Sequence, residues 1–151
     1  MESVPFLNSI YLYSITFICK WGLTPIISKK VYTIDQAFAH RLGFNFSENK
    51  GRILENIVFL ELLRRGKDVY YHSGKKECDF VIKESLDIVE AIQVAYLVDV
   101  NNYERECQGL LDAMDTYNLN EGLMLTLNID KSYIPNNVGI KVLTVWEWLL
   151  N

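Results

Sequence analysis

The residue best placed for chemistry is Glu55, a carboxylate on an otherwise apolar helix stripe. The segment 52–65 has strong helix formers, no proline and Gly66 directly after it, and therefore predicts a helix. Three, four and seven residues after Glu55 come apolar side chains: Val58, Phe59 and Leu62. A carboxylate on such a stripe is costly unless it is paired. Glu55 therefore belongs to a site, or it lies at the helix edge and reaches solvent.

A second acidic feature is the pair Glu77 and Asp79, two residues apart at the start of an apolar strand. Strict alternation places both carboxylates on one face, and Cys78, Phe80 and Ile82 on the other. Two close carboxylates are one way to hold a divalent cation such as Mg²⁺. The alternative is an acidic pair at a strand end that faces water.

A third polar group, Gln93, interrupts the apolar segment 88–96. A nearly continuous apolar run of this kind predicts a central strand that is covered on both faces. A buried amide needs hydrogen-bond partners. Gln93 is therefore either part of a polar site or bonded to neighbouring backbone.

The elements that must position these residues follow a simple order. From residue 52 onward the pattern predicts helix, three strands, helix and strand, followed by an added strand and a short helix in which Trp146 and Trp148 pack on the body. The predicted strands are 68–72, 78–83, 88–96, 122–128 and 141–145, and the predicted helices are 52–65, 103–117 and 146–150. Before them lie two predicted strands, 9–20 and 29–35. We therefore expect a β-rich N-terminal extension, residues 1–50, packed on an α/β domain, residues 51–151.

A helix Glu, a strand Asp and a Gln-x-Ala on the next strand, in the order αβββαβ, resemble the PD-(D/E)xK nuclease superfamily. Several spaced blocks are similar to one family in particular, the C-terminal domain of unknown function attached to prokaryotic AAA+-type ATPases. Those blocks are 51–56, 65–66, 69–71, 77–82, 92–94, 105–106, 125–126 and 145–150, with residues 30–35 as a leading strand. The resemblance covers about residues 28–150.

This resemblance implies a restriction-endonuclease-like fold: a central mixed sheet flanked by helices. It implies a catalytic set of Glu55, Asp79 and Gln93, and Mg²⁺ as the cofactor, held by Glu55 and Asp79. The acidic pair adds Glu77 as a third candidate ligand. The family's catalytic Lys position is occupied by Ala95, which has neither charge nor reach. Because such a site lacks its positive group, the sequence predicts a degenerate nuclease-like domain that does not hydrolyse DNA at a useful rate.

Two basic clusters flank the strand 68–72 and are predicted to face DNA. They consist of Arg64, Arg65, Lys67, Lys75 and Lys76. The alternative is a solvated helix end and turn, because cations are favoured near a helix C-terminus in any case. The net charge of −4 argues against strong non-specific binding to nucleic acid or to an anionic membrane.

Composition narrows the class of protein further. The chain has 151 residues, of which 50% are hydrophobic and 23% charged, which excludes disorder for most of it. Its three cysteines form no CxxC pair, which excludes a disulfide framework or a cysteine zinc cluster within one chain and suits the cytoplasm. The longest apolar run is too short to span a membrane, and no signal peptide is predicted.

Three functions remain open from the sequence. The first is a degenerate nuclease-like domain that binds nucleic acid or a protein partner. The second is an active Mg²⁺-dependent DNA endonuclease with a relocated Lys, and the third is a structural interaction module. The chain has no GxxxxGK[ST] motif, so the ATPase module that the resemblance implies would be a separate partner, and the chain looks like a detached C-terminal piece. The sequence leaves the oligomeric state open.

Overall fold

The computed structural model describes residues 12–18, 29–34, 50–99, 102–129 and 139–151. The strands are β1 (Leu12–Ile18), β2 (Lys29–Thr33), β3 (Asp68–Ser73), β4 (Glu77–Glu84), β5 (Asp87–Val98), β6 (Gly122–Ile129) and β7 (Ile140–Thr144). The helices are α1 (Lys50–Arg64), α2 (Tyr103–Tyr117) and α3 (Val145–Leu149). In these parts of the chain, no helix has the length and apolar character needed to cross a membrane.

The strands form one mixed sheet in the order β2-β1-β3-β4-β5-β6-β7. β3, β4 and β5 make an antiparallel meander, whereas β5, β6 and β7 run parallel to one another. β1 runs parallel to β3 and antiparallel to β2, so β2 lies at one edge. The predicted α/β class with a central mixed sheet is confirmed. The division into an extension, residues 1–50, and a core, residues 51–151, stays a prediction.

The core lies on both faces of the sheet, as the apolar β5 predicts. One cluster packs α1 and α3 on the sheet and is called the α1-side cluster below; it includes Val58, Phe59, Phe80, Ile92, Val94 and Trp148. The other packs α2 on the opposite face and is called the α2-side cluster; it includes Cys78, Val81, Ala91, Ala95, Cys107 and Leu110. Residues 91–95 of β5 are buried throughout, and the apolar side chains among them alternate between the two clusters.

β4 carries a bulge at the residues that matter most for the site. Tyr70 of β3 pairs with Val81 and His72 pairs with Cys78, so Asp79 and Phe80 together stand opposite one β3 residue. Strict alternation across residues 77–82 is therefore wrong: Cys78 lies in the α2-side cluster, but Phe80 lies in the α1-side cluster. The extra residue changes which face the first residues of β4 present.

α3 closes the described chain through a capping box. The Thr144 hydroxyl accepts from the Glu147 backbone N–H, and the Glu147 carboxylate accepts from the Thr144 backbone N–H. Trp148 is buried in the α1-side cluster, with Arg65 over its ring. Trp146 is 57% exposed, so the expectation that both indoles pack on the body is correct only for Trp148.

Because Gly109 has no side chain, α2 can lie very close to the start of β4. A Cβ at this position would overlap the backbone carbonyl of Glu77. We expect Gly109→Ala to lower the free energy of unfolding by about 1–3 kcal/mol, because the helix must move off the strand. Urea denaturation measures this, with the exposed neighbour Gln108→Ala as the control. Equal stability of the two variants would contradict the close approach.

Candidate functional site

An ammonium group lies between the two carboxylates that the sequence singles out. Lys30 Nζ of β2 is 2.8 Å from Asp79 Oδ1 of β4 and 3.1 Å from Glu55 Oε1 of α1. The side chains are largely shielded, with 23% exposure for Lys30, 17% for Glu55 and 15% for Asp79. Three elements that are distant in the chain thus meet at one cation, and Glu55 is paired rather than directed to open solvent.

Tyr32, two residues after Lys30, adds a second donor to Glu55. Its hydroxyl donates to Glu55 Oε1 at 2.5 Å, and its ring stacks on Phe59 with centroids 4.2 Å apart. Asn56 holds the next residue of β2 from both sides, accepting from the Thr33 N–H at 2.9 Å and donating to its carbonyl at 2.8 Å. α1 therefore fixes β2, and with it the position of Lys30.

Asp79 also reaches the neighbouring strand. Its Oδ2 accepts from the Val94 backbone N–H at 3.0 Å, while Gln93 Oε1 accepts from the Asp79 backbone N–H at 3.3 Å. The regular β4–β5 pairing runs only as far as Phe80 and Ile92. At this end of the two strands, the side chains of Asp79 and Gln93 accept hydrogen bonds from backbone N–H groups that lie beyond the regular β4–β5 pairing.

The amide of Gln93 does not take the place predicted for it beside the carboxylates. Alternation along β5 groups Gln93 with Ala91 and Ala95, which belong to the α2-side cluster, and its partner in β6 is Met124 of the same cluster. The Asp79 carboxylate lies on the α1 side with Lys30. The structure therefore brings Glu55 and Asp79 together, and Gln93 adjoins them through backbone.

Ala95, at the family's Lys position, is only 5% exposed and packs in the α2-side cluster. A Lys introduced at residue 95 would enter this core rather than the space between Glu55 and Asp79. The positive charge of the site comes from a different strand.

Burial and the like charge of Glu55 both shift the pKa of the Asp79 carboxyl group. Burial, and then the neighbouring Glu55 carboxylate, raise its pKa to about 6, although Lys30 and the Val94 N–H pull it down. Burial lowers the pKa of Lys30, but Asp79 and Glu55 together outweigh this and raise it above its ordinary value. Burial and Glu55 likewise raise the pKa of the Tyr32 hydroxyl, so it acts as a hydrogen-bond donor throughout the neutral range.

A cleft of about 260 Å³ opens beside this cluster. It is lined by Lys30, Val31, Tyr32, Arg52, Glu55, Asn56 and Glu77. Within the described residues, no group of three or more His, Cys, Asp or Glu side chains could hold a metal ion. Glu77, predicted as a third ligand, is an exposed residue on the cleft wall.

The donor set nevertheless fits Mg²⁺. Glu55 and Asp79 present hard carboxylate oxygens that already converge on one cation, Lys30 Nζ. Mg²⁺ in proteins is commonly bound by one or two carboxylates and keeps several of its waters.

The predicted DNA-facing residues lie at two separate ends of β3. Arg64 and Arg65 pair with Glu61, Arg65 also donates to the Trp148 carbonyl, and Lys67 pairs with Glu84. Lys75 and Lys76 are exposed in the β3–β4 turn, at the end of β3 where Asp79 lies. Arg64, Arg65 and Lys67 are thus engaged away from the cleft, and the structure does not join the five into one surface.

Lys30 is the residue that sequence reasoning missed. The predicted catalytic set begins at Glu55 and has its Lys position at residue 95, whereas Lys30 precedes Glu55 by 25 residues. A signal existed: Lys30 and Tyr32 alternate on a short strand before the helix, and Glu55 required a partner.

Two longer proteins are similar to most of this chain. The uncharacterized protein MJ1544 of Methanocaldococcus jannaschii is 36% identical over 132 residues, which cover 80% of this chain and 29% of that protein. An uncharacterized protein of Haemophilus influenzae is 34% identical over 125 residues, which cover 80% of this chain and 28% of that protein. The chain thus spans less than a third of the length of these curated relatives. No family model matches the chain. No solved structure matches it either.

The Tyr32 hydroxyl can be tested separately from its ring. We expect Tyr32→Phe to lower the free energy of unfolding by about 1–2 kcal/mol, because the Glu55 carboxylate loses a donor in a shielded place. Thermal or urea unfolding measures the change, and Tyr96→Phe, at a residue 38% exposed, serves as the control. If Tyr32→Phe changes stability no more than the control does, the bond to Glu55 contributes little.

The pKa of Asp79 gives a prediction with a definite sign. Its pKa is about 6 in the folded chain against an ordinary 3.8, so folding takes up a proton between these values. This group therefore makes stability fall as the pH rises from about 4 to about 6. Carboxyl ¹³C NMR should show Asp79 titrating near pH 6 and higher still in Lys30→Met, which loses the cation that lowers the pKa. An Asp79 midpoint near pH 4 in both proteins would contradict the shared site.

Proposed function

We propose that this domain is a nuclease-like domain that cleaves phosphodiester bonds with Mg²⁺, with Lys30 in place of the Lys that position 95 lacks. The observation that carries the proposal is the ammonium of Lys30 between the Glu55 and Asp79 carboxylates. A Lys beside paired carboxylates is the combination that the PD-(D/E)xK resemblance implies. Here it is assembled from β2, α1 and β4.

Each residue has a definite part in this proposal. Glu55 and Asp79 would hold Mg²⁺, which supplies a positive charge that polarises the phosphate. Tyr32 keeps one Glu55 oxygen oriented, and the Val94 N–H does the same for Asp79. Lys30 offers its protons to the negative charge that builds on the phosphate as the bond breaks.

The cleft beside these residues supports a substrate that carries negative charge. Arg52 of the first turn of α1 lines it together with Lys30, and that turn contains no acidic residue. The positive end of α1 therefore faces the same region as two basic side chains. The carboxylates of Glu55 and Glu77 line the same cleft. With Mg²⁺ on the carboxylates, these basic groups would suit a phosphate of a nucleic acid.

A second candidate, a nuclease-like domain that binds nucleic acid or protein without cutting, is favoured by β5. Gln93 points to backbone rather than to the carboxylate pair, and Ala95 is buried without charge. Only two carboxylates are then left for a metal. In this second candidate function, the domain keeps its binding site but does not cleave phosphodiester bonds.

The association with an ATPase belongs to the same proposal. The chain matches only 29% of MJ1544 and 28% of the Haemophilus influenzae protein, so each of those proteins has room for a further module. We therefore propose that the domain works beside an ATPase module in the cytoplasm.

Cleavage of plasmid and of labelled single-stranded oligonucleotide, with Mg²⁺ or Mn²⁺ and with EDTA, tests the function. We expect EDTA-sensitive cleavage by the wild type, reduced about a hundred- to a thousand-fold in Asp79→Asn and in Lys30→Met. Lys83→Met is the matched control, since Lys83 lies over the Tyr70 ring and is remote from the carboxylates.

The outcomes separate the two candidates. Cleavage that is unaffected by Asp79→Asn would come from a contaminant and would refute the proposed site. Retained binding of the oligonucleotide without cleavage by any protein would favour the second candidate.

A further inference from the structure

We infer that Lys30 and a divalent cation occupy the space between Glu55 and Asp79 in turn, so that metal binding releases the Lys30 ammonium toward the substrate. This inference rests on the proposed function and concerns the regulation of the same site. It makes Lys30 a built-in competitor of the metal as well as a participant in the reaction.

The distances make simultaneous occupation unfavourable. Lys30 Nζ is 2.8 Å from Asp79 Oδ1 and 3.1 Å from Glu55 Oε1. Mg²⁺ binds carboxylate oxygens at about 2.1 Å, so an ion on Asp79 Oδ1 would lie within about 5 Å of an unmoved Nζ. An ion bound to both Asp79 Oδ1 and Glu55 Oε1 would take the place between them that Nζ occupies. Two positive groups that close repel strongly, so the ammonium leaves this position when the metal binds both carboxylates.

Both carboxylates keep their orientation without Lys30, because each has a second donor. The Tyr32 hydroxyl donates to Glu55 Oε1, and the Val94 N–H donates to Asp79 Oδ2. The donors come from different strands, β2 and β5. The two carboxylates therefore keep the same orientation whether the cation between them is Lys30 or a metal ion.

The Lys30 side chain has open space beside it into which it can move. β2 is the outermost strand on its side of the sheet, and the cleft of about 260 Å³ begins at Lys30 itself. The exposed carboxylate of Glu77 lines the same cleft and offers an anionic partner. A displaced ammonium therefore stays within the region where the phosphate of the substrate would lie.

If Lys30 and the metal exchange in this way, the substitution Lys30→Met should change metal affinity and cleavage rate in opposite directions. Lys30→Met removes the competitor, so the affinity for Mg²⁺ should rise, by about tenfold or more. The same change removes the group that interacts with the reacting phosphate, so the rate of cleavage should fall. A purely structural Lys30 would lower both quantities together or leave both unchanged.

Titration calorimetry with Mg²⁺ and Mn²⁺ on wild type, Lys30→Met and Lys83→Met tests the inference. Lys83→Met removes the same charge at a residue that lies over the Tyr70 ring, and it should bind metal like the wild type. Because Lys30→Met leaves two carboxylates without their cation and could unfold, ¹⁵N NMR of the lysine ammonium groups in the wild type gives a second measurement. The Lys30 signal, protected in its ion pairs, should move or exchange with water when Mg²⁺ saturates the site.

Tighter metal binding by Lys30→Met alone, with a changed Lys30 signal in the wild type, supports the exchange. Equal affinity in all three proteins, or a Lys30 signal unchanged at saturating Mg²⁺, overturns it and leaves the proposed function to the cleavage assay. Failure of every folded protein to bind either metal overturns the exchange and the metal dependence of the proposed function together.

Discussion

The structure of the site depends on one electrostatic constraint: two shielded carboxylates from different elements must share one cation. Glu55 and Asp79 lie among apolar residues of α1 and β4, where an uncompensated charge is costly. Lys30 satisfies both at once. In the sheet, β2 lies near enough to α1 for Lys30 to reach both groups.

The bulge in β4 makes this meeting possible. In a regular strand Asp79 would share its direction with Val81, which packs on the α2 side. The extra residue opposite β3 lets the Asp79 carboxylate join Lys30 on the α1 side and lets its Oδ2 bond to Val94. Local loss of ladder pairing thus gives the site its geometry, and the side chains of Asp79 and Gln93 satisfy the backbone that the ladder leaves unpaired.

The sequence predicted the parts of the molecule that depend on local pattern. The helix around Glu55, with Gly66 in the left-handed region after it, and the doubly covered β5 are set by nearby residues, and the structure confirms them. The meeting of Glu55 and Asp79 was implied by the resemblance to the nuclease superfamily, whereas the apolar stripe alone indicated only that Glu55 needs a partner or solvent. Lys30 was missed because its partners lie 25 and 49 residues away, and no short-range pattern encodes that distance. The separation of Gln93 from the carboxylates was missed because the bulge in β4 turns Asp79 to the α1 side, and a bulge has no local signature in the sequence.

Lys30 and Tyr32 also affect which residues a folded fragment of this chain must contain. Both lie before residue 51, on the far side of the boundary that composition and element order would draw. A fragment that began at α1 would keep the helix, the meander and most of the core, yet it would carry Glu55 and Asp79 into the interior without their shared cation. Any fragment that keeps the charge balance of the core must therefore include β2.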